Sequence, residues 1–193
     1  MRQPSARAKK SCFALSLLAL IVLLAACAGS TQLVLRYEVA QTQAPGCDAA
    51  VAVVTFKDAR EQPMLGIDAD GQAYKTASNV AEWVSWSLYD ELRAAGCSKA
   101  KYHQAEGNYT ADSVVTGEVL KVNVRQNSAT SYTAAVQIRI EIKKAGQVVF
   151  AGKFQGEKDN TVFPGSGKAE QTLTEALQLV LADVVAQVRA TAK

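Results

Sequence analysis

From Ser113 onward the hydrophobic pattern changes to a period of two, and this change restricts the possible fold more than any other feature. Leu120, Val122 and Val124 alternate with Lys121, Asn123 and Arg125, and Val136, Ile138, Ile140 and Ile142 alternate with Gln137, Arg139, Glu141 and Lys143. Val148 and Phe150 follow Ala145-Gly146, a tight-turn candidate. Successive side chains of a strand point to opposite faces. The run therefore predicts three antiparallel strands in a meander, with one apolar face and one wet face. An apolar sheet face must be covered by another layer.

Two amphipathic segments supply that cover. In residues 79–95, Val80, Val84, Leu88 and Leu92 recur at spacing four with Trp83 beside them; Asn79 can cap, Glu82 takes the capping-box position and Gly96 stops the helix. A second helix, residues 168–189, carries Leu173, Leu177, Val180, Leu181, Val184 and Val188 as its stripe. Residues 49–56 (AAVAVVTF) are almost wholly apolar, which suits a central strand covered on both faces. In residues 30–44, a first strand or extended arm, Leu33, Leu35 and Tyr37 alternate with Val34, Arg36 and Glu38. Residues 41–46 with Pro45 read as a turn, residues 57–77 as a loop with a short hairpin, and residues 159–168 as a loop. The expected architecture is α+β: a mainly antiparallel sheet of four to five strands with two helices packed on one face.

The start of the chain has a different character. Arg2, Arg7, Lys9 and Lys10 precede residues 13–26 (FALSLLALIVLLAA), and no acidic residue occurs before Glu38. As a helix that run measures about 21 Å, short of the roughly 30 Å hydrocarbon core. A basic start, a short apolar run and a small-residue exit describe an export signal. Of 21 basic and 18 acidic residues, four basic ones lie in this leader, so its removal leaves 17 against 18. The overall charge of +3 is then a property of the leader and not a sign of nucleic-acid binding.

Leu24-Ala25-Ala26-Cys27 resembles the lipobox of bacterial lipoproteins. The resemblance implies that Leu24, Ala25 and Ala26 are read by the signal peptidase. Residues 1–26 are then removed, and Cys27 becomes the N-terminus with a thioether-linked diacylglycerol and an N-acyl chain such as palmitate. Several acyl chains anchor durably where one does so only marginally, so the mature protein would be tethered to a membrane without spanning it. Ala28 stands where Asp would signal retention, which by the sorting rule of enterobacterial lipoproteins implies the outer membrane, facing the periplasm; the periplasmic face of the inner membrane is the alternative. Residues 27–46 would form the lipidated N-terminus and arm, and residues 47–193 a single domain.

Cys47 and Cys97 remain, an even pair in an oxidising compartment. Cys47 precedes the apolar strand and Cys97 follows the first helix. A helix packing back on the strand before it brings its end near the strand's start, so a disulfide is expected, with two buried free thiols as the alternative.

Catalytic signatures are missing from the sequence, and neither enzyme activity, a catalytic residue, a metal nor a free cofactor is expected. His103 is the sole histidine, and nothing beside it resembles a nucleophile elbow. Residues 164–168 (PGSGK) lack the P-loop's first glycine and its closing Ser or Thr, and residues 68–71 (DADG) place glycine wrongly for a calcium loop. Trp86, three positions beyond Trp83, cannot face the core centre equally with it. One indole is expected at a rim where a partner or lipid docks, unless the buried face is broad.

The order of elements then becomes informative. Thr31-Gln32-Leu33-Val34-Leu35, a strand ending in Asp58-Ala59-Arg60, a helix ending in Leu92-Arg93-Ala94-Ala95-Gly96, a strand with Gly117-Glu118-Val119 and an amphipathic last helix together resemble the YajG-type lipoprotein family. The layout is also similar to auxiliary lipoproteins of ABC-type lipid transport, and residues 111–117 (ADSVVTG) to lipoproteins that activate cell-wall synthases. These resemblances imply a periplasm-facing interaction or accessory module with an envelope protein as partner and no nucleic acid. The alternative they allow is a lipid or glycolipid carrier. They mark Asp58 and Arg60 as an ion pair shaping the loop at the strand's end.

Overall fold

The computed structural model describes residues 30–40, 47–163 and 168–192. In chain order the elements are β1 (Ser30–Gln32), β2 (Val51–Val54), β3 (Lys57–Asp58), β4 (Gly66–Ile67), β5 (Ala73–Lys75), α1 (Val80–Ala94), β6 (Lys101–His103), β7 (Ser113–Ser128), β8 (Ser131–Lys144), β9 (Gln147–Thr161) and α2 (Ala169–Ala192).

The meander is present and longer than its apolar residues mark. β8 runs antiparallel to both β7 and β9. Ala145 and Gly146 both take positive φ, 48° and 79°, as a two-residue turn of matching twist requires. Along β8, Tyr132, Ala134, Val136, Ile138, Ile140 and Ile142 are buried, while the alternate residues are half-exposed. β9 continues to Thr161, which corrects the loop expected from residue 159. Lys158, Asp159 and Asn160 stay in register with Ala134, Thr133 and Tyr132. Their side chains are held from neighbouring elements: Thr133 Oγ1 donates to Asp159 at 2.6 Å, and Asn160 Nδ2 donates to Glu175 at 2.9 Å. Polar bonds extend the strand where the apolar pattern stops.

The sheet itself departs from expectation. Among the described residues it has nine strands and is mixed, not a mainly antiparallel sheet of four to five. One edge of β7 is covered in turn by β2, β3 and β4, all parallel to it, with Val51 opposite Ser113, Lys57 opposite Glu118 and Gly66 opposite Val124. β6 lies parallel to β2 on its far side. Parallel neighbours need crossover connections, and α1 lies in the one between β2 and β6. Strands of two to four residues hold too few side chains for a period of two to register. β2 announced itself, its four residues buried on both faces as its unbroken apolar run predicts, and the short hairpin expected within residues 57–77 is β4 with β5, Gly66 opposite Tyr74.

The first helix, α1, obeys its end signals. Asn79 Oδ1 accepts from Glu82 N at 3.1 Å, and beyond Ala95 the chain turns through Gly96 at φ 85°. α2 lies over β8 and β9 alike and also touches α1. Val84, Leu88 and Leu92 of α1 and Leu173, Leu177, Val180, Leu181, Val184 and Val188 of α2 meet Val115, Val119, Val124, Ile138, Ile140 and Ile142, all fully buried in one cluster. At Gly156 α2 leaves no room for a side chain: a Cβ there would lie 2.9 Å from the Ala176 carbonyl oxygen and 2.9 Å from Val180. The expected arm alternates as read, with Leu33 buried and Val34, Arg36 and Glu38 exposed. It is bonded to α2 through Thr174 Oγ1 to the Arg36 carbonyl at 3.0 Å and Gln178 Nε2 to the Glu38 carbonyl at 2.8 Å.

Candidate functional site

The two tryptophans of α1 divide between core and surface. Trp83 is buried, whereas Trp86 keeps 42% of its surface exposed. Trp86 is nonetheless fixed in place. Its indole stacks on Tyr102 of β6, with ring centroids 4.2 Å apart at 21°, and meets Tyr89 edge-on at 5.3 Å. The Tyr102 hydroxyl shares a 2.7 Å hydrogen bond with Thr55 Oγ1 and lies 3.4 Å from Ser85 Oγ. Ser85 is buried and donates to the Ala81 carbonyl at 2.7 Å. Each aromatic pair contributes about 0.5–1.5 kcal/mol beyond area burial, so the exposed indole is preorganised at the sheet edge formed by β6. Tyr89 and Tyr102 escaped the sequence reading. Tyr89 lies one helical turn from Trp86 and was findable, but Tyr102 arrives from another strand and left no local signal.

Just beyond the C-terminal end of α1 the sulfurs of Cys47 and Cys97 are joined, with Cα atoms 4.6 Å apart across 50 residues. Cys47 N donates to the Gly96 carbonyl at 3.2 Å, which holds the strand's start against the helix's end. This is the return geometry that motivated the pairing, and it replaces the free-thiol alternative. Closing a loop of this length stabilises by about 4 kcal/mol in the chain-entropy model.

A buried clamp joins the arm to the same helix. Glu91 is 6% exposed and accepts from the Tyr37 hydroxyl at 2.5 Å and from Ala40 N at 2.8 Å. Burial and the adjacent Glu91 carboxylate push the Tyr37 hydroxyl far above the ordinary tyrosine range. No sequence pattern pointed to this clamp, whose partners lie more than 50 positions apart.

Asp58 and Arg60 meet directly at the end of β3. Arg60 Nε and Nη2 each reach an Asp58 oxygen at 2.8 Å, and Nη1 donates to the Pro63 carbonyl at 3.4 Å. The Arg60 side chain is 8% exposed against 42% for Asp58. The hydrogen bond from Arg60 holds the Asp58 carboxyl below its usual range. His103 packs its ring against Tyr109 at 4.1 Å, and it lines a different cavity from Arg60.

The DADG segment is a turn, with Asp68 Oδ1 accepting from Asp70 N and Gln72 N. Among the described residues no three His, Cys, Asp or Glu side chains cluster as metal ligands, and no helix is long and apolar enough to cross a membrane. Leu24, Ala25, Ala26 and Cys27, the turn of residues 41–46 and residues 164–167 lie outside the described residues.

No model of a known protein family matches the chain, and no curated protein matches it. Solved structures do. The chain is similar to protein XCC0632 of Xanthomonas campestris, of family DUF330, with a TM-score of 0.51 at 14% identity, covering 82% of this chain and 92% of that one. It is also similar to a PelC dodecamer from Paraburkholderia phytofirmans (TM-score 0.43, 21% identity, 75% and 96% covered) and to a minor lipoprotein from Acinetobacter baumannii (TM-score 0.37, 11% identity, 77% and 92% covered). The first of these likenesses shows a shared α+β fold.

Proposed function

We propose that the chain is a lipid-tethered, non-enzymatic accessory protein of a bacterial cell envelope, which docks onto another envelope protein through the rim built around Trp86. The observation that carries this reading is the exposed indole locked between Tyr89 and Tyr102. An ordered, half-exposed Trp loses little conformational freedom on binding, and residues of this type dominate binding energy at interfaces. The leader with its lipobox-like end supplies the tether at Cys27, with diacylglycerol and an N-acyl chain, and Ala28 favours the outer membrane. The Cys47–Cys97 bridge suits an oxidising compartment. Within this reading, the chain resembles the YajG-type family, and Asp58 and Arg60 are structural.

Docking is preferred over carriage of a lipid because the space between sheet and helices is filled by side chains of negligible exposure. The open groove of about 590 Å³ between the arm and α2 is lined by Arg36, Glu38, Glu170 and Glu175, a poor seat for an acyl chain.

The test places a photo-crosslinking amino acid at position 82, one helical turn before Trp86 and only half-buried, in the native tethered protein with Trp86 retained, and illuminates intact envelopes. One recurring protein adduct, lost when Tyr102→Ala loosens the stack, is expected. Adducts to lipid alone, or none, contradict docking through this rim.

A further inference from the structure

We infer that β9 is a self-recognition edge, and that two copies of the chain join by antiparallel pairing of β9 with β9 about a two-fold axis at Gln155. β9 is hydrogen-bonded to β8, and among the described residues it has no neighbour on its other side. Every second residue of a strand directs its N–H and C=O groups away from the existing partner, so such an edge templates another strand. Residues 150–160 contain no proline and pair with β8 without a register shift.

The side chains along this stretch match themselves when the strand is reversed. With Gln155 opposite its own copy, Lys153 faces Glu157 of the other chain, and the symmetry makes that ion pair twice. Phe154 falls opposite Gly156, the position where α2 leaves no room for a side chain. Ala151 faces Asp159, Gly152 faces Lys158 and Phe150 faces Asn160, so no like charges oppose one another. Cross-strand pairs of this kind each contribute and like charges opposite each other destabilise.

The layer above the sheet fits the same axis. Leu179 is 50% exposed, and its Cβ is 3.3 Å from where a Gly156 Cβ would sit, so it stands beside the free edge close to the axis. Ala182, Ala186 and Ala190 continue an exposed face of small residues along α2. Because α2 lies over β8 and β9 alike, pairing two β9 strands sets the two copies of α2 about two strand spacings apart, roughly 9.6 Å. That is within the ~8–10 Å at which helices pack. The joint therefore closes both layers at once and covers Leu179. It uses the edge opposite β6, leaving the Trp86 rim free, so its failure and the failure of docking through that rim are separate results.

The test uses the full chain in its native envelope carrying Gln155→Cys, with oxidant added and the Cys47–Cys97 bridge verified by peptide mass. Directly opposed residues have Cα atoms about 4.5–5.5 Å apart, within the ~4.4–6.8 Å a disulfide spans. Q155C is expected to give a disulfide-linked dimer. Ala151→Cys should not, because its copy is about 27 Å away along the strand. Adding Lys153→Glu to Q155C should reduce the crosslink several-fold, and adding Glu157→Lys as well should restore it. A monomeric Q155C, equal crosslinking at position 151, or a double charge swap that fails to rescue overturns the inference. So does a monomeric mass for the unsubstituted chain.

Discussion

Arg60 shows how one side chain can hold a segment that no regular element stabilises. Its guanidinium is buried under the loop after β3 and satisfied by Asp58 and the Pro63 carbonyl. Arg60→Ala removes two charge-assisted bonds and is expected to lower stability by about 1.5–3 kcal/mol in urea denaturation, a single such bond to a charged group being worth about that much. The same pair sets a pH dependence. The folded-state value of Asp58 is depressed below its ordinary 3.8, so its contribution is complete above 3.8 and fades as pH falls through the lowered folded value. Burial would raise Glu175, but hydrogen bonds from Asn160, Gln171 and Lys158 outweigh it and pull the carboxyl below its ordinary 4.5, with the same sign. The expected outcome is a stability gap between the parent and Asp58→Asn that is constant from pH 5 to 7 and narrows below 3.8; a gap that widens in acid contradicts the assignment. At the clamp, Tyr37→Phe leaves Glu91 buried with one donor fewer. It should cost about 1–3 kcal/mol, read as a lower urea midpoint.

At the scale of elements, the periodic segments were legible, and of the short strands β2 and the β4–β5 hairpin were expected while their pairing was not. Asn79, Glu82 and Gly96 bound α1, and the Ile138-Ile140-Ile142 alternation placed β8 with its apolar face toward the helices. β3, β4, β5 and β6 hold two or three residues each, and their places follow from pairing to β7, β4 and β2, contacts distant in sequence. The parallel set against β7 was invisible for that reason, as was the polar end of β9. Cys47 and Cys97 were legible because strand and helix lengths return the chain to its start. Replacing both with Ser should lower the thermal midpoint and remove about 4 kcal/mol at most, the chain-entropy value for this loop; unchanged stability would show that the bridge constrains nothing. Gly156→Val drives a side chain into α2 and is expected to cost about 1–3 kcal/mol as overpacking, whereas Gly71→Ala meets open space and pays only for its positive φ.

For the molecule as a whole, one sheet has two edges with different chemistry. The β6 edge presents a fixed aromatic cluster, and the β9 edge presents backbone and alternating charge. Of the candidate site, Trp86 was marked in the sequence by its offset from Trp83, while its supports Tyr102 and Thr55 come from separate strands and are joined only by the fold. The proposed tether rests on four consecutive residues, Leu24 to Cys27, because a peptidase and an acyltransferase read sequence locally and need no fold. On it rest the proposed compartment and the proposed class of partner. The most direct measurement is the intact mass of the chain extracted from its native envelope. The account requires a mature form starting at Cys27 and heavier than the bare polypeptide by a diacylglycerol and a fatty acyl group, with Cys27→Ala leaving the membrane fraction unprocessed or lost. A chain beginning elsewhere, or an unmodified Cys27, would contradict it.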